Sequence, residues 1–246
     1  MSALQLFYLE WILYFAAFGA MIFAIWAQIK VKSTFKKYSS IPTYSGRVAY
    51  EVAEMILHTN GIFDVRIERV RGSLTDHYDP RAKVLRLSDT VYGSASAAAV
   101  GVAAHEAGHA VQYAKGYLPV RIRSVLVPAA SFSSRFTWLL IMAGVLLMVF
   151  KSQSQLGFYM TLAGVGLFAV ATLFQLVTLP CEFNASRQAM AALSSSGWYS
   201  KGELRGSRRV LTAAALTYVA ALAVSVLQLL RLLVYVMRIS GRGRER

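Results

Sequence analysis

The residues of this chain best suited to chemistry are His105 and His109, with Glu106 directly after the first, in the run His105-Glu106-Ala107-Gly108-His109. Positions four apart lie one turn apart on the same face of a helix, so both imidazoles can meet one metal ion. Zinc suits two nitrogens and an oxygen, and it lowers the pKa of a bound water to about 7. Glu106 would sit beside the open coordination position. From there it would take a proton from the zinc-bound water and pass it to a leaving amine. The chemistry this implies is hydrolysis of a peptide bond.

The pattern is not a chance product of composition. Four histidines and eight glutamates are spread over 246 residues, and shuffling them gives roughly 0.002 expected matches to His-Glu-x-x-His. The plain alternative is two ordinary helix histidines with a glutamate between them. Gly108 speaks against it, because glycine inside a helix costs about 1 kcal/mol and so implies a packing demand.

Such a site needs a third protein ligand. His58, His77 and a carboxylate are the free choices, and the strongest is Glu182. Pro180 suits the first turn of a helix, which would place Glu182 near a helix start. There a carboxylate is also explained by the helix dipole alone. The single cysteine, Cys181, excludes both an intrachain disulfide and a thiolate zinc cage.

The elements that must hold these residues follow from periodicity. Residues 44–59 carry Val48, Val52, Met55 and Ile56 on one helical face. Asn60-Gly61 supplies the stop. Residues 63–70 alternate and read as a strand, and residues 83–87 read as a second one, with a turn at Asp79-Pro80 between them. Ser94 or Ser96 then caps a small-residue helix that carries the two histidines and runs to about Ala114. The strand at 83–87 could offer an edge to an extended peptide.

Around this polar stretch the chain is apolar. Hydrophobic residues make up 56% and charged residues 15%, against roughly 45–50% and 25% for soluble domains. The excess lies in charge-free blocks at 11–29, 136–150, 152–181 and 210–230, and about 20 apolar residues cross a bilayer. Residues 136–150 are short for that, but the apolar stretch 125–134 precedes them and Arg135 can snorkel. No Lys or Arg precedes the first block and no small-residue cleavage site follows it. It is therefore expected to stay as a membrane helix rather than leave as a signal peptide.

The net charge of +14 does not point to nucleic acid. The charges flank the apolar blocks, at Lys30, Lys32, Lys36, Lys37, Arg205, Arg208, Arg209 and Arg238 to Arg246, as orientation and anionic lipid demand. The positive-inside rule puts residues 30–37 and the site on the cytoplasmic face. The arginines of 239–246 break the rule if 210–237 spans fully. The alternative for that last block is a bent, re-entrant or buried helix.

Residues 77–112, from His-Tyr-Asp-Pro-Arg to His-Glu-Ala-Gly-His-Ala-Val-Gln, resemble the YugP-like family of neutral zinc metallopeptidases of bacterial membranes. The similarity continues through residues 180–187 and 213–233. It implies His105 and His109 as zinc ligands and Glu106 as the base. Glu182-Phe183-Asn184-Ala185-Ser186 is similar to the third-ligand helix of HtpX-like membrane peptidases, which read Glu-x-x-Ala-Asp. That resemblance implies Glu182 as the third ligand. Ser186 stands where those relatives carry Asp, so Asn184 and Ser186 are the side chains available to orient a ligating histidine. His77 and Arg187 are further candidates for contact with ligand or substrate. Ordinary turn and membrane-anchor roles also explain them.

The expected fold is mainly α. Three to four transmembrane helices hold an inserted small α+β, zincin-like subdomain that carries the motif helix. The segments are residues 1–37 (first span and basic flank), 38–119 (catalytic subdomain), 120–180 (transmembrane hairpin), 181–209 (third-ligand helix) and 210–246 (last apolar helix and basic tail). The expected function is a membrane-bound zinc endopeptidase with one Zn²⁺ per chain, acting on protein or peptide substrates at the cell membrane. The alternative is a non-catalytic membrane scaffold or partner-binding protein with a vestigial metal site.

Overall fold

A computed structural model describes residues 3–151 and 154–242. Ser152, at the head of one apolar block, and residues 243–246 of the basic tail lie outside the described residues.

Nine elements follow one another: α1 (Ala3–Ser39), α2 (Ala49–Thr59), β1 (Arg66–Val70), β2 (His77–Asp79), β3 (Val84–Ser88), α3 (Ala97–Ala114), α4 (Leu118–Phe150), α5 (Gln155–Ser195) and α6 (Lys201–Arg242). Of these, α1, α4, α5 and α6 are long and apolar enough to cross a membrane. At most 28% of the most apolar stretch of each is buried. Large side chains such as Phe15, Leu139 and Val149 are left exposed, which a bilayer accommodates and water does not. The fold is that of a mainly α membrane protein with a small α+β insert.

Two compact units divide the chain. One comprises Met1–Ile25, Ile122–Val177 and Tyr218–Arg246, the other Trp26–Arg121 and Thr178–Thr217. In the first unit α4 and α5 meet through glycines. A Cβ on Gly157 would lie 2.7 Å from the Gly144 carbonyl oxygen, so small residues let the two backbones approach. In the same unit Arg238 donates to Glu10 over 2.8 Å, and the Arg231 guanidinium lies 3.9 Å from the Tyr14 ring centroid.

The second unit carries the polar elements. Ser96 has extended backbone and its Oγ accepts from the Ala99 amide at 3.2 Å, which starts α3. Gly116, at φ +63°, ends it, with the Tyr117 amide bonding back to the Gln112 carbonyl. α2 begins at Ala49 rather than 44, because the backbone ahead of it is paired elsewhere. Thr43 N and Ala49 N donate to Ala95 O and Ser94 O. Gly61, at φ +74°, ends α2 as expected, with Ile62 N bonded to Leu57 O.

The sheet order is β1-β3-β2, parallel between β1 and β3 and antiparallel between β2 and β3. The strand read at 83–87 is therefore central and offers no free edge. The edges belong to β1 and to β2, a three-residue strand that periodicity missed. Leu85 and Leu87 of β3, Val52, Ile56 and Leu57 of α2, and the alanines of α3 form one core. Ala189 and Leu193 of α5 and Val210 and Leu211 of α6 complete it.

One helix expectation changes, and one open alternative is narrowed. Pro180 lies inside α5 and does not start a new helix. It removes one ladder bond, to Leu176, but the flanking turns of a 41-residue helix keep the rest satisfied, and that outweighs a break in an apolar setting. The last apolar block is likewise one helix, Lys201–Arg242, with no re-entrant break.

Candidate metal centre

Helix α3 presents His105 and His109 one turn apart, with ring centroids 4.8 Å apart and planes at 87°. Its neighbours Ala104, Ala107 and Gly108 are small and buried. That allows α5 to come so close that a Cβ on Gly108 would meet Ala185 O at 2.8 Å. Glu182, one turn before Ala185, is thereby aimed at the histidines. Its Oε2 lies 3.2 Å from His105 Nε2 and 3.5 Å from His109 Nε2.

Glu182 is only 2% exposed, and a buried carboxylate needs cationic or metal partners. Four-coordinate zinc with bonds of 2.0–2.1 Å spaces its ligand atoms about 3.3–3.4 Å apart. The two measured separations match that edge, and the three donor atoms lie within 4.8 Å of one another. The residues therefore fit a zinc ion. His105, His109 and Glu182 are the one such group of metal-binding side chains among the described residues.

The other ring nitrogens are also bonded. His105 Nδ1 is 3.1 Å from Ser186 Oγ, and His109 Nδ1 is 3.0 Å from Gln112 Oε1. Ser186 thus contacts the first histidine of the motif directly. Gln112 Nε2 donates to Cys181 O at 2.7 Å and to Asn184 Oδ1 at 2.9 Å. Asn184 Oδ1 also accepts from Gln188 Nε2 at 2.6 Å. Burial disfavours a charge on His109. The Glu182 hydrogen bond and the carboxylates of Glu106 and Glu182 outweigh it and hold the imidazole pKa above its ordinary value. The same negative field favours a metal cation.

Glu106 is half-buried, with no hydrogen bond holding its carboxylate among the described residues. Asp76 lies within electrostatic reach of it. Asp76 itself accepts from Ser88 N at 2.7 Å and Ser88 Oγ at 3.0 Å.

Other sequence candidates stay away from the centre. His77 is exposed on β2, in register with Arg86, and its Nδ1 bonds Thr75 O at 2.9 Å. His58 is exposed and stacks on Phe63. Arg187 is exposed and no hydrogen bond ties it to the ligands. Sequence reading missed Gln112 and Asp76. For Gln112 a signal existed: it is a lone amide three residues after His109, on the same face of an otherwise small and apolar helix.

Residues 13–237 match the family model described as "Putative neutral zinc metallopeptidase". The chain is 46% identical over 217 residues to "Putative membrane protease YugP" of Bacillus subtilis (strain 168), covering 88% of this chain and 93% of that one. No solved structure matches. A match running from Leu13 in α1 to Met237 in α6 takes in both histidines, Glu182 and all four apolar helices, and by it this chain belongs to the neutral zinc metallopeptidase family.

Proposed function

We propose that the protein is a membrane-bound, zinc-dependent endopeptidase that uses His105, His109 and Glu182 as metal ligands and Glu106 to carry the proton. The observation that carries this reading is the convergence of three donors, rather than four, at ligand spacing. Closed structural zinc sites use four protein ligands, and catalytic ones use three.

When bound, zinc supplies Lewis acidity: it brings the pKa of water to about 7 and polarises a carbonyl oxygen. The chain's own residues do the rest. Ser186 and Gln112 hold the imidazoles in place, and the close packing of Gly108 on Ala185 sets the position of Glu182. Glu106, unrestrained by hydrogen bonds, accepts the proton of the attacking water and delivers it to the leaving amine. A single donor group among the described residues supports one zinc per chain.

The same reading makes the chain multi-pass, with the centre near the cytoplasmic face. Four apolar helices support it, as does the basic segment Lys30 to Lys37 at the end of α1 that leads into the site. The substrates it implies are proteins or peptides at the membrane.

Zinc content of the detergent-purified chain tests the ligands, and cleavage of a peptide library tests the reaction. We expect one zinc in the wild type and none in Glu182→Ala or His109→Ala. Glu106→Gln should keep the zinc and lose cleavage by about 10²–10⁴-fold. A folded wild type that takes up no metal when zinc is supplied in excess would leave the scaffold reading in its place.

A further inference from the structure

The deepest polar side chain of α3 outside the ligands is Gln112, which is 0% exposed. A buried amide is costly unless its donors and acceptor are all satisfied, and here they are. Cys181 O is a backbone carbonyl and can only accept. The end of the Gln112 amide that faces it at 2.7 Å is therefore the NH₂ group. The opposite end, 3.0 Å from His109 Nδ1, is then the oxygen. An amide oxygen also only accepts, so Nδ1 must carry a proton. Nε2, which faces the Glu182 carboxylate, is then the nitrogen left to give its lone pair to a metal ion.

His105 has no equivalent constraint. Its Nδ1 faces the hydroxyl of Ser186, which can donate or accept. The second NH of Gln112 reaches Asn184 Oδ1 at 2.9 Å, so one side chain grips the residues on both sides of Glu182 while holding His109.

We propose that Gln112 is the positioning residue of the metal centre. It fixes the metal-binding tautomer of His109 and ties that imidazole to the stretch of α5 that carries Glu182. The proposal rests on the reading of His105, His109 and Glu182 as ligands. It assigns the orienting role on the second histidine to a neutral amide, while the first histidine is served by the more permissive hydroxyl.

The test is zinc affinity of the full-length, detergent-purified chain, measured by competition with a chelator, together with thermal unfolding. Gln112→Leu fills the space but cannot accept from Nδ1, and should bind zinc about 10–100-fold more weakly. Gln112→Glu still offers an oxygen to Nδ1 but loses both donations. It should unfold at a lower temperature yet bind zinc within a few-fold of wild type. A packing role predicts the opposite order, with the Leu variant retaining affinity and the buried charge of Glu losing it. Equal affinity of Gln112→Leu and wild type overturns the proposal. If Gln112→Leu does not fold, Gln112→Glu decides alone, and affinity more than tenfold below wild type overturns it. A wild type that takes no zinc overturns the ligand reading beneath it, and is distinct from either result.

Discussion

Gly108 and Ala185 stand so close that a methyl group on Gly108 would lie 2.8 Å from the Ala185 carbonyl oxygen. The obstacle is backbone and cannot rotate away. Gly108→Ala on an open helix face would stabilise by about 1 kcal/mol. Here it should destabilise by about 1–3 kcal/mol, the cost of overpacking. It should also weaken zinc binding, since Ala185 lies one turn from Glu182. Thermal unfolding and zinc titration of the variant check both signs, and a stabilised, zinc-replete Gly108→Ala would contradict the close approach.

A ligand that binds only the folded state stabilises it, by about 2.7 kcal/mol at a hundredfold excess over its dissociation constant. Stripping the wild type with a chelator should therefore lower its unfolding temperature. Glu182→Ala, lacking the buried carboxylate that faces both histidines, should show no response to the chelator. A scan of each protein with and without chelator separates the two.

Burial pushes the Asp76 carboxyl above its ordinary pKa, although the Ser88 amide and hydroxyl pull it down. An acid whose pKa is raised on folding binds its proton more tightly in the folded state. Its contribution is then most favourable at pH values below the ordinary Asp value, and it is lost as pH rises through the raised one. Asp76→Asn removes that loss and can keep both contacts to Ser88. The unfolding temperature of Asp76→Asn relative to wild type should therefore be higher at pH 7 than at pH 4. A difference that is the same at both pH values would count against a raised pKa.

Ser96 holds the first turn of the ligand-bearing helix through Ala99 N. Ser96→Ala should cost about 1 kcal/mol of stability. It lies nine residues before His105 and touches neither ligand, so zinc stoichiometry should stay at wild type. Unfolding and metal content of the same preparation check the separation.

Much of the centre is legible along the chain where the geometry is local. His105 and His109 are one turn apart on any helix, and Ser96 announces that helix. Glu182 is legible as the strongest third candidate, but spacing alone does not separate a ligand from a carboxylate placed by the helix dipole. Its selection depends on α5 packing against Gly108, a contact between residues far apart in sequence. Gln112 is legible only as a lone amide one turn after His109, because its partner on the other side is the distant Cys181 carbonyl. β2 was missed because three residues carry no usable period and its strand form comes from pairing with β3. Pro180 was read as a helix start by a rule for short soluble helices. In a long apolar helix the surviving hydrogen bonds overrule it.

His105 and Glu182 are 77 residues apart, and α4 lies between them. At about 5–20 residues per second, synthesis needs roughly 4–15 s to travel that distance. For that interval the growing chain carries His105, Glu106 and His109 without Glu182. On the proposed ligand set, metal capture waits until α4 and much of α5 have been made, and a chain truncated before residue 182 lacks one of the three donors. The order of the message thus separates the first two donors from the last in time.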